Sequence, residues 1–81
     1  MNLNIRLFAT LKDRAKASQI SVDISEPATV SDLLASVSRQ YPAIESALEY
    51  VLISVNQEYA DRTQSISSED EIALFPPVSG G

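Results

Sequence analysis

A single apolar stripe with helical spacing lies in the middle of a chain whose other apolar residues mostly alternate with polar ones. The stripe consists of Val30, Leu33, Leu34, Val37 and Tyr41. Positions i, i+3, i+4, i+7 and i+11 form one face of a helix of about three turns. Thr29, three residues before Asp32, is typical of a helix start, and Pro42 predicts where the helix ends. With Ser36 on its polar side, such a helix must bury its stripe against a sheet.

Five other stretches have the alternation or the β-branched composition of strands: LNIRLFA, QISVDIS, YVLISVN, EYA and EIALF. The first two are close enough in sequence to form a hairpin, joined by the charged connection TLKDRAKAS. Asn56 and Gln57 are predicted to form the turn before EYA. AIESALE predicts a short helical turn, and DRTQSISSED a polar loop. The order predicts an α+β fold in which one main helix covers a mixed sheet of about five strands.

The chain lacks both cysteine and histidine. These absences exclude disulfides, thiolate nucleophiles and thiolate metal sites, and they remove the usual general base near neutral pH. The segment from Asp61 onward has oxygen-bearing side chains at alternate positions, as calcium loops do. Ile66 and Ile72, however, occupy the positions where such a loop needs a glycine and a bidentate acid. No metal site and no bound cofactor are predicted.

The formal net charge of −5 is unevenly distributed. Residues 40–81 hold seven acids and one base, Arg62. Nothing forms a basic stripe that could displace phosphate counterions, so nucleic acid is not a predicted partner. A basic protein surface fits this charge, although acids that merely keep a small domain soluble remain an alternative. Without a long apolar run or a signal peptide, the chain is expected to be cytoplasmic, with no membrane partner.

The two phenylalanines have the wrong strand parity for the core. Leu7 and Leu74 are predicted to face inward, so their neighbours Phe8 and Phe75 should point outward. Outward aromatic rings reduce solubility unless something covers them. A partner-docking surface that contains Phe8, Phe75 and Tyr59 is therefore predicted. The alternatives are that each ring is an ordinary single outward apolar residue, or that the strand ends twist and fold the rings under a loop.

The sequence ends in FPPVSGG, and its only glycines are Gly80 and Gly81. Pro76 and Pro77 fix φ and remove two hydrogen-bond donors, so residues 76–81 are predicted to leave the 1–75 domain as a stiff, extended tail. Val78 and Ser79 are small, and the two glycines lack side chains. Such a tail can enter a narrow channel in a partner protein, which makes the carboxyl of Gly81 the candidate functional group.

The chain resembles the small, sulfur-carrying subunit of molybdopterin synthase, a ubiquitin-like β-grasp family. The resemblance rests on RLFATLKD, TVSDLLASVSRQYP, ISVNQEYA and SEDEIALFPPVSGG. It runs along the whole chain, and PPVSGG is its most specific part. One departure is Glu69, which stands where the family usually has glycine before the last strand. The turn there must therefore use another geometry.

The resemblance implies a carrier without catalytic side chains of its own. An activating enzyme would consume ATP to adenylate Gly81, and sulfur would then convert the adenylate to a C-terminal thiocarboxylate. The tail residues 76–80 would enter the large catalytic subunit of molybdopterin synthase, in a complex of two small and two large subunits. There the sulfur would pass to cyclic pyranopterin monophosphate and help to form the dithiolene of molybdopterin.

Two alternatives remain open on the residues alone. The first is a sulfur carrier of another pathway, such as thiamine synthesis, or a ubiquitin-like protein modifier, because these families share the Gly-Gly ending. The second is an interaction module whose tail is inert. Removing Gly80 and Gly81 would change nothing in that second case.

Overall fold

The structure is a computed structural model, and it describes residues 1–77. The predicted tail positions Val78, Ser79, Gly80 and Gly81 lie outside the described residues. The strands are β1 (Asn2–Leu7), β2 (Gln19–Asp23), β3 (Ala28–Thr29), β4 (Leu52–Val55), β5 (Glu58–Ala60), β6 (Ser65–Ile66) and β7 (Ile72–Phe75). The helices are α1 (Ala9–Ala15), α2 (Val30–Gln40) and a 3₁₀ helix (Pro42–Tyr50).

Five strands form one mixed sheet in the order β2-β1-β7-β4-β5. The pair β1–β7 is parallel, and the pairs β1–β2, β4–β7 and β4–β5 are antiparallel. The hairpin predicted from the first two strands is therefore confirmed. So is the α+β fold, a ubiquitin-like β-grasp with one main helix packed against a mixed sheet of five strands.

The core lies between the sheet and α2. Inward residues alternate along β1, as Leu3, Ile5 and Leu7 are buried, and the stripe residues of α2 from Val30 to Val37 are buried against the sheet. Burial of such side chains contributes about 1.5–3 kcal/mol each relative to leaving them exposed. Tyr41, the last residue of the predicted stripe, is half-buried at the C-terminal end of α2.

Both ends of α2 follow the sequence signals. The Thr29 hydroxyl accepts a hydrogen bond from the Asp32 amide at 3.3 Å, and the Asp32 carboxylate accepts one from the Thr29 amide at 2.9 Å. This reciprocal pair satisfies two amides that the first helical turn leaves without partners. The placement of Ser36 on the polar side was wrong, because only 3% of its surface is exposed. Its hydroxyl accepts a hydrogen bond from Arg39 at 3.2 Å, which makes this burial tolerable.

Two segments predicted to be irregular contain secondary structure. The connection TLKDRAKAS includes α1, which buries Leu11. The loop DRTQSISSED contains β6, and Ile66 of β6 pairs with Ala28 of β3 in a second, two-stranded sheet. AIESALE was predicted correctly as helical, with Ile44 and Leu48 buried in the 3₁₀ helix.

The turns between these elements do without glycine. Asn56 and Gln57 form the predicted turn between β4 and β5, with φ values of 55° and 70°. Lys16 has φ of 58° where α1 ends, and Ala9 has φ of 53° where α1 begins. In the turn that precedes β7, the φ of Glu69 is not positive.

The turn before β7 is held by hydrogen bonds to and from Asp70. The amide of Asp70 donates to the Ser67 carbonyl at 3.1 Å, and the Ser67 amide donates to the Asp70 carboxylate at 2.7 Å. This hydrogen-bonded turn accommodates Glu69 at the position where the resemblance implies a glycine. Within residues 1–77, none of the helices combines the length and the apolar character needed to cross a bilayer.

Candidate functional site

The outward face of the sheet brings Phe8 and Phe75 into contact. Arg6 of β1 lies opposite Ala73 of β7 and Leu7 lies opposite Leu74, so the parallel register carries on to Phe8 and Phe75. Their ring centroids are 4.6 Å apart, and the ring planes differ by 10°. Phe8 is 36% exposed and Phe75 is half-buried. Both rings therefore lie on the sheet face opposite α2, although their role in docking stays a prediction.

Arg6 also contacts this pair of rings. Its guanidinium carbon lies 5.9 Å from the centroid of the Phe8 ring. A cation over an aromatic face at this distance is attracted by the ring quadrupole, an effect of about 0.5–1 kcal/mol at an exposed site. Arg6, Phe8 and Phe75 thus form one stack, and Phe75 is the last residue of β7.

A shallow hollow lies beside the stack. The register aligns Arg6, Ala73, Ser54 and Tyr59 in one row across four strands. Ala73 and Ser54 are small and form the floor, whereas the stacked rings and Tyr59, which is 76% exposed, form the walls. The hollow has a volume of about 340 Å³. It is large enough to receive a side chain from a docked protein.

Leu52 belongs to the same surface, and the sequence analysis missed it. It lies opposite Phe75 in the β4–β7 pair and is 36% exposed. Its parity, outward between buried Val51 and Ile53, was the signal that could have identified it. We call Arg6, Phe8, Leu52, Tyr59 and Phe75 together the aromatic face.

The predicted tail begins at the edge of the aromatic face. Pro76, which follows Phe75 directly, is half-buried, and Pro77 is exposed. The described part of the tail thus follows directly on Phe75. The roles assigned to Val78, Ser79, Gly80 and Gly81 lie outside the described residues and stay predictions.

The carboxylates between β5 and β7 form hydrogen bonds within turns. Asp61 accepts hydrogen bonds from the Thr63 hydroxyl at 2.6 Å and from the Thr63 amide at 2.8 Å. These bonds hold the pKa of the Asp61 carboxyl below its ordinary value. Asp70 accepts a hydrogen bond from Asn56 at 2.9 Å in addition to the one from Ser67. Across residues 1–77, no group of three or more acidic, histidine or cysteine side chains is arranged to hold a metal ion.

Comparison with known proteins gives a consistent relationship over the length of the chain. The family model described as "ThiS family" matches residues 5–81. A molybdopterin synthase sulfur carrier subunit from Dictyostelium discoideum is 44% identical over 80 residues, which cover 95% of this chain and 93% of that protein. This identity extends the likeness well beyond the Gly-Gly ending.

Two solved structures show the relationship of the fold. The crystal structure of SAMP1 from Haloferax volcanii has a TM-score of 0.88 and 34% identity, and covers 100% of both chains. A protein–protein complex of subunits 1 and 2 of molybdopterin-converting factor from Helicobacter pylori has a TM-score of 0.69. That likeness covers 100% of both chains at 22% identity, so it supports the fold alone.

Proposed function

Because the chain belongs to the ThiS family, we propose that it is the sulfur carrier subunit of molybdopterin synthase. The observation that carries this proposal is the 44% identity to such a subunit over 95% of the chain. The chemistry agrees with it, because a chain without cysteine or histidine needs another group to bear sulfur. The carboxyl of Gly81 is that group.

The carboxyl needs activation before it can accept sulfur. At neutral pH a C-terminal carboxyl is ionised, since its pKa in model peptides is about 3.5. The Gly81 carboxylate attacks the α-phosphorus of ATP, and pyrophosphate leaves. Hydrosulfide-level sulfur then attacks the acyl carbon and displaces AMP, so that a C–S bond replaces the C–O bond to the phosphate and a free thiocarboxylate remains at Gly81. ATP is consumed by that enzyme and is not a resident cofactor of this chain.

The large catalytic subunit of molybdopterin synthase is the proposed acceptor of the loaded tail. Its active site receives residues 76–81, and the thiocarboxylate sulfur bonds to cyclic pyranopterin monophosphate. Water then hydrolyses the bond between this sulfur and the acyl carbon of Gly81, which leaves the sulfur on the acceptor and regenerates the carboxylate. The aromatic face supports docking, because exposed Phe8, Leu52 and Tyr59 share one sheet surface with Phe75, the residue directly before Pro76. Aromatic residues in such a central patch are typical hot spots of protein interfaces.

The carrier step is tested by mass spectrometry of the C-terminal peptide. With ATP, an activating enzyme and a sulfur donor, the wild-type chain should gain the mass difference between sulfur and oxygen at Gly81. Deletion of Gly81 should abolish this gain while leaving the folded domain and most of the affinity for the large subunit intact. A chain extended by one residue should transfer little sulfur, because its carboxyl overshoots the active site. Sulfur loading of the shortened chain would overturn the proposal.

Protein modification is the second candidate function, and it is favoured by the TM-score of 0.88 and 34% identity to SAMP1, whose name stands for small archaeal modifier protein 1. In that case the activated Gly81 forms an amide with a lysine of a target protein. Peptides from the native cell distinguish the two functions. A thiocarboxylate at Gly81 and copurification with the large subunit support the carrier, whereas branched peptides that join Gly81 to lysine support the modifier. A thiamine-type carrier would show the thiocarboxylate but would copurify with a different acceptor.

A further inference from the structure

Phe75 joins the sheet to the proline segment, and it is held on two sides. Its backbone lies opposite Leu52 in the β4–β7 pair, and its ring is stacked on Phe8. Pro76 restricts the backbone of Phe75 to extended conformations. Pro76 and Pro77 each hold φ near about −65°. Few free torsions therefore remain between the sheet and the end of Pro77.

Phe8 is itself held in position. It follows β1, and the Arg6 guanidinium carbon lies over its ring, 5.9 Å from the ring centroid. Phe8 is the residue before α1, and its amide-linked neighbour Ala9 has φ of 53°. The ring therefore contacts both a cation and Phe75, on backbone that is fixed by a strand on one side and a helix on the other.

We propose that Arg6 and Phe8 are positioning residues whose stack on Phe75 fixes the direction in which the chain leaves the sheet at Pro76. Loss of the stack frees the Phe75 side chain and lets the segment that follows it sample more directions. A preoriented segment loses less conformational entropy when it enters a partner's channel. It also holds the reacting carbon closer to its productive place, where small misplacements are costly in rate. This role differs from docking, which concerns affinity.

The geometric part is tested on the isolated chain by pulsed electron paramagnetic resonance. Because the sequence lacks cysteine, Ala35→Cys on the exposed side of α2 and Val78→Cys provide two unique spin-label sites. Adding Phe8→Leu keeps an apolar side chain but removes the stack. The width of the interspin distance distribution should increase about twofold, toward that of a flexible linker.

The controls separate the stack from the rest of the aromatic face. Tyr59→Leu also removes an aromatic ring from this face but leaves Arg6, Phe8 and Phe75 in place, so it should not change the width. Arg6→Met keeps an unbranched stem without the cation and should broaden the distribution less than Phe8→Leu. If Phe8→Leu lowers the unfolding temperature so far that the variant is not folded during the measurement, the distance distribution of Arg6→Met is the test. An unchanged width in both stack variants overturns the proposal.

The kinetic part rests on the proposed function. With saturating large subunit, the thiocarboxylated Phe8→Leu chain should show a kcat for sulfur transfer lowered about tenfold. A higher KM with unchanged kcat would assign Phe8 to docking alone and overturn the positioning role. If the wild-type chain transfers no sulfur, the proposed function fails, and the width measurement alone then decides the role of the stack.

Discussion

At the scale of single residues, the turns carry a cost that glycine would remove. Lys16, Asn56 and Gln57 all have positive φ. A non-glycine residue in this region loses roughly 1–2 kcal/mol to steric contact between Cβ and the backbone. Asn56 is a natural choice because asparagine tolerates this region, and it also bonds with Asp70 and Glu71 across the turn before β7. Glutamine, unlike asparagine, is not a residue type that tolerates positive φ, so Gln57 bears the full steric cost.

Gln57→Gly should therefore stabilise the fold. It converts the turn to Asn-Gly, the sequence preferred when both central residues have positive φ. After the larger backbone entropy that glycine loses, the expected gain in the free energy of unfolding is about 0.5–1 kcal/mol. Asn56→Gly is the matched control and should destabilise, because it removes the hydrogen bonds to Asp70 and Glu71. Urea unfolding of both variants checks the opposite signs.

The Asp61 carboxyl gives a prediction for pH. Its pKa is lowered in the fold, first by the Thr63 hydroxyl and next by the Thr63 amide. A depressed folded pKa means that this interaction stabilises the fold above the unfolded pKa of about 3.9 and is lost as pH falls through the folded value. Thr63→Val should raise the pKa of Asp61 toward its ordinary value and weaken the acid-induced part of the destabilisation. Carbon-detected NMR titration measures the pKa of the Asp61 carboxyl, and Thr10→Val, at an exposed threonine, is the control. Identical Asp61 titration in both variants would contradict the assignment.

At the scale of elements, the sequence predicted those whose signals are local and redundant. α2 has a capping pair, a five-residue stripe and a terminating proline, and each alone would place it. α1 has one buried residue, Leu11, among charged neighbours, so its apolar periodicity is too short to detect. β3 and β6 have two residues each, and only the tertiary fold pairs them. Period-two arguments cannot identify such strands.

In the candidate site, too, local patterns predicted some features, and others depend on the tertiary fold. Strand parity predicted that Phe8 and Phe75 point outward, because that follows from the residues beside them. The stack itself depends on the parallel register of the first and last strands, and no local pattern specifies that register. The contact between the two rings therefore could not be predicted from the sequence. The outward position of Leu52 could have been, by the same parity argument.

The β2 edge of the sheet is protected by a side chain. On β2, the Tyr41 hydroxyl donates a hydrogen bond to the Ser21 carbonyl at 3.0 Å and accepts one from the Ser21 amide at 3.4 Å. Both backbone groups of Ser21 would otherwise be open to another strand. An unprotected edge is a template for pairing with a second chain. Tyr41 thus closes the middle of this edge.

Tyr41→Phe should expose the backbone of Ser21 at the β2 edge. The variant keeps the packing of the ring but leaves Ser21 to solvent or to another strand, so we expect a loss of stability of about 1 kcal/mol and concentration-dependent self-association. Analytical ultracentrifugation over a concentration series measures the association. Tyr50→Phe, at an exposed tyrosine, is the control and should stay as monodisperse as the wild type. Equal behaviour of the two variants would mean that Tyr41 does not protect the edge.

At the scale of the whole molecule, the fold separates the surface that we propose to dock from the tail that we propose to carry sulfur. The aromatic face lies on the sheet, and the residues proposed to bear sulfur follow β7. Affinity for the large subunit should therefore be adjustable at Leu52 or Tyr59, which lie outside the stack, without changing the acyl chemistry. This separation predicts different consequences for changes at Phe75 and at Gly81.

Phe75→Glu should leave the domain folded and weaken binding to the large subunit by more than about 2 kcal/mol, the scale of an interface hot spot. Ala43→Glu adds the same charge at an exposed position of the 3₁₀ helix and should bind normally. Isothermal titration calorimetry measures both affinities, and circular dichroism monitors the fold. Normal binding by Phe75→Glu, or its unfolding, would show that the ring is not part of a docking hot spot.

The central place of β7 has a consequence for the order of assembly. The hairpins β1–β2 and β4–β5 are local in sequence, but β7 alone joins them in the sheet. Local pairs form early and non-local strand insertion comes late, because loop closure must precede the gain from contacts. During synthesis the two hairpins can thus form before β7 leaves the ribosome and joins them into one sheet. Phe75 meets Phe8 only at that final step, so a partner that recognises the stacked pair selects chains that have finished folding.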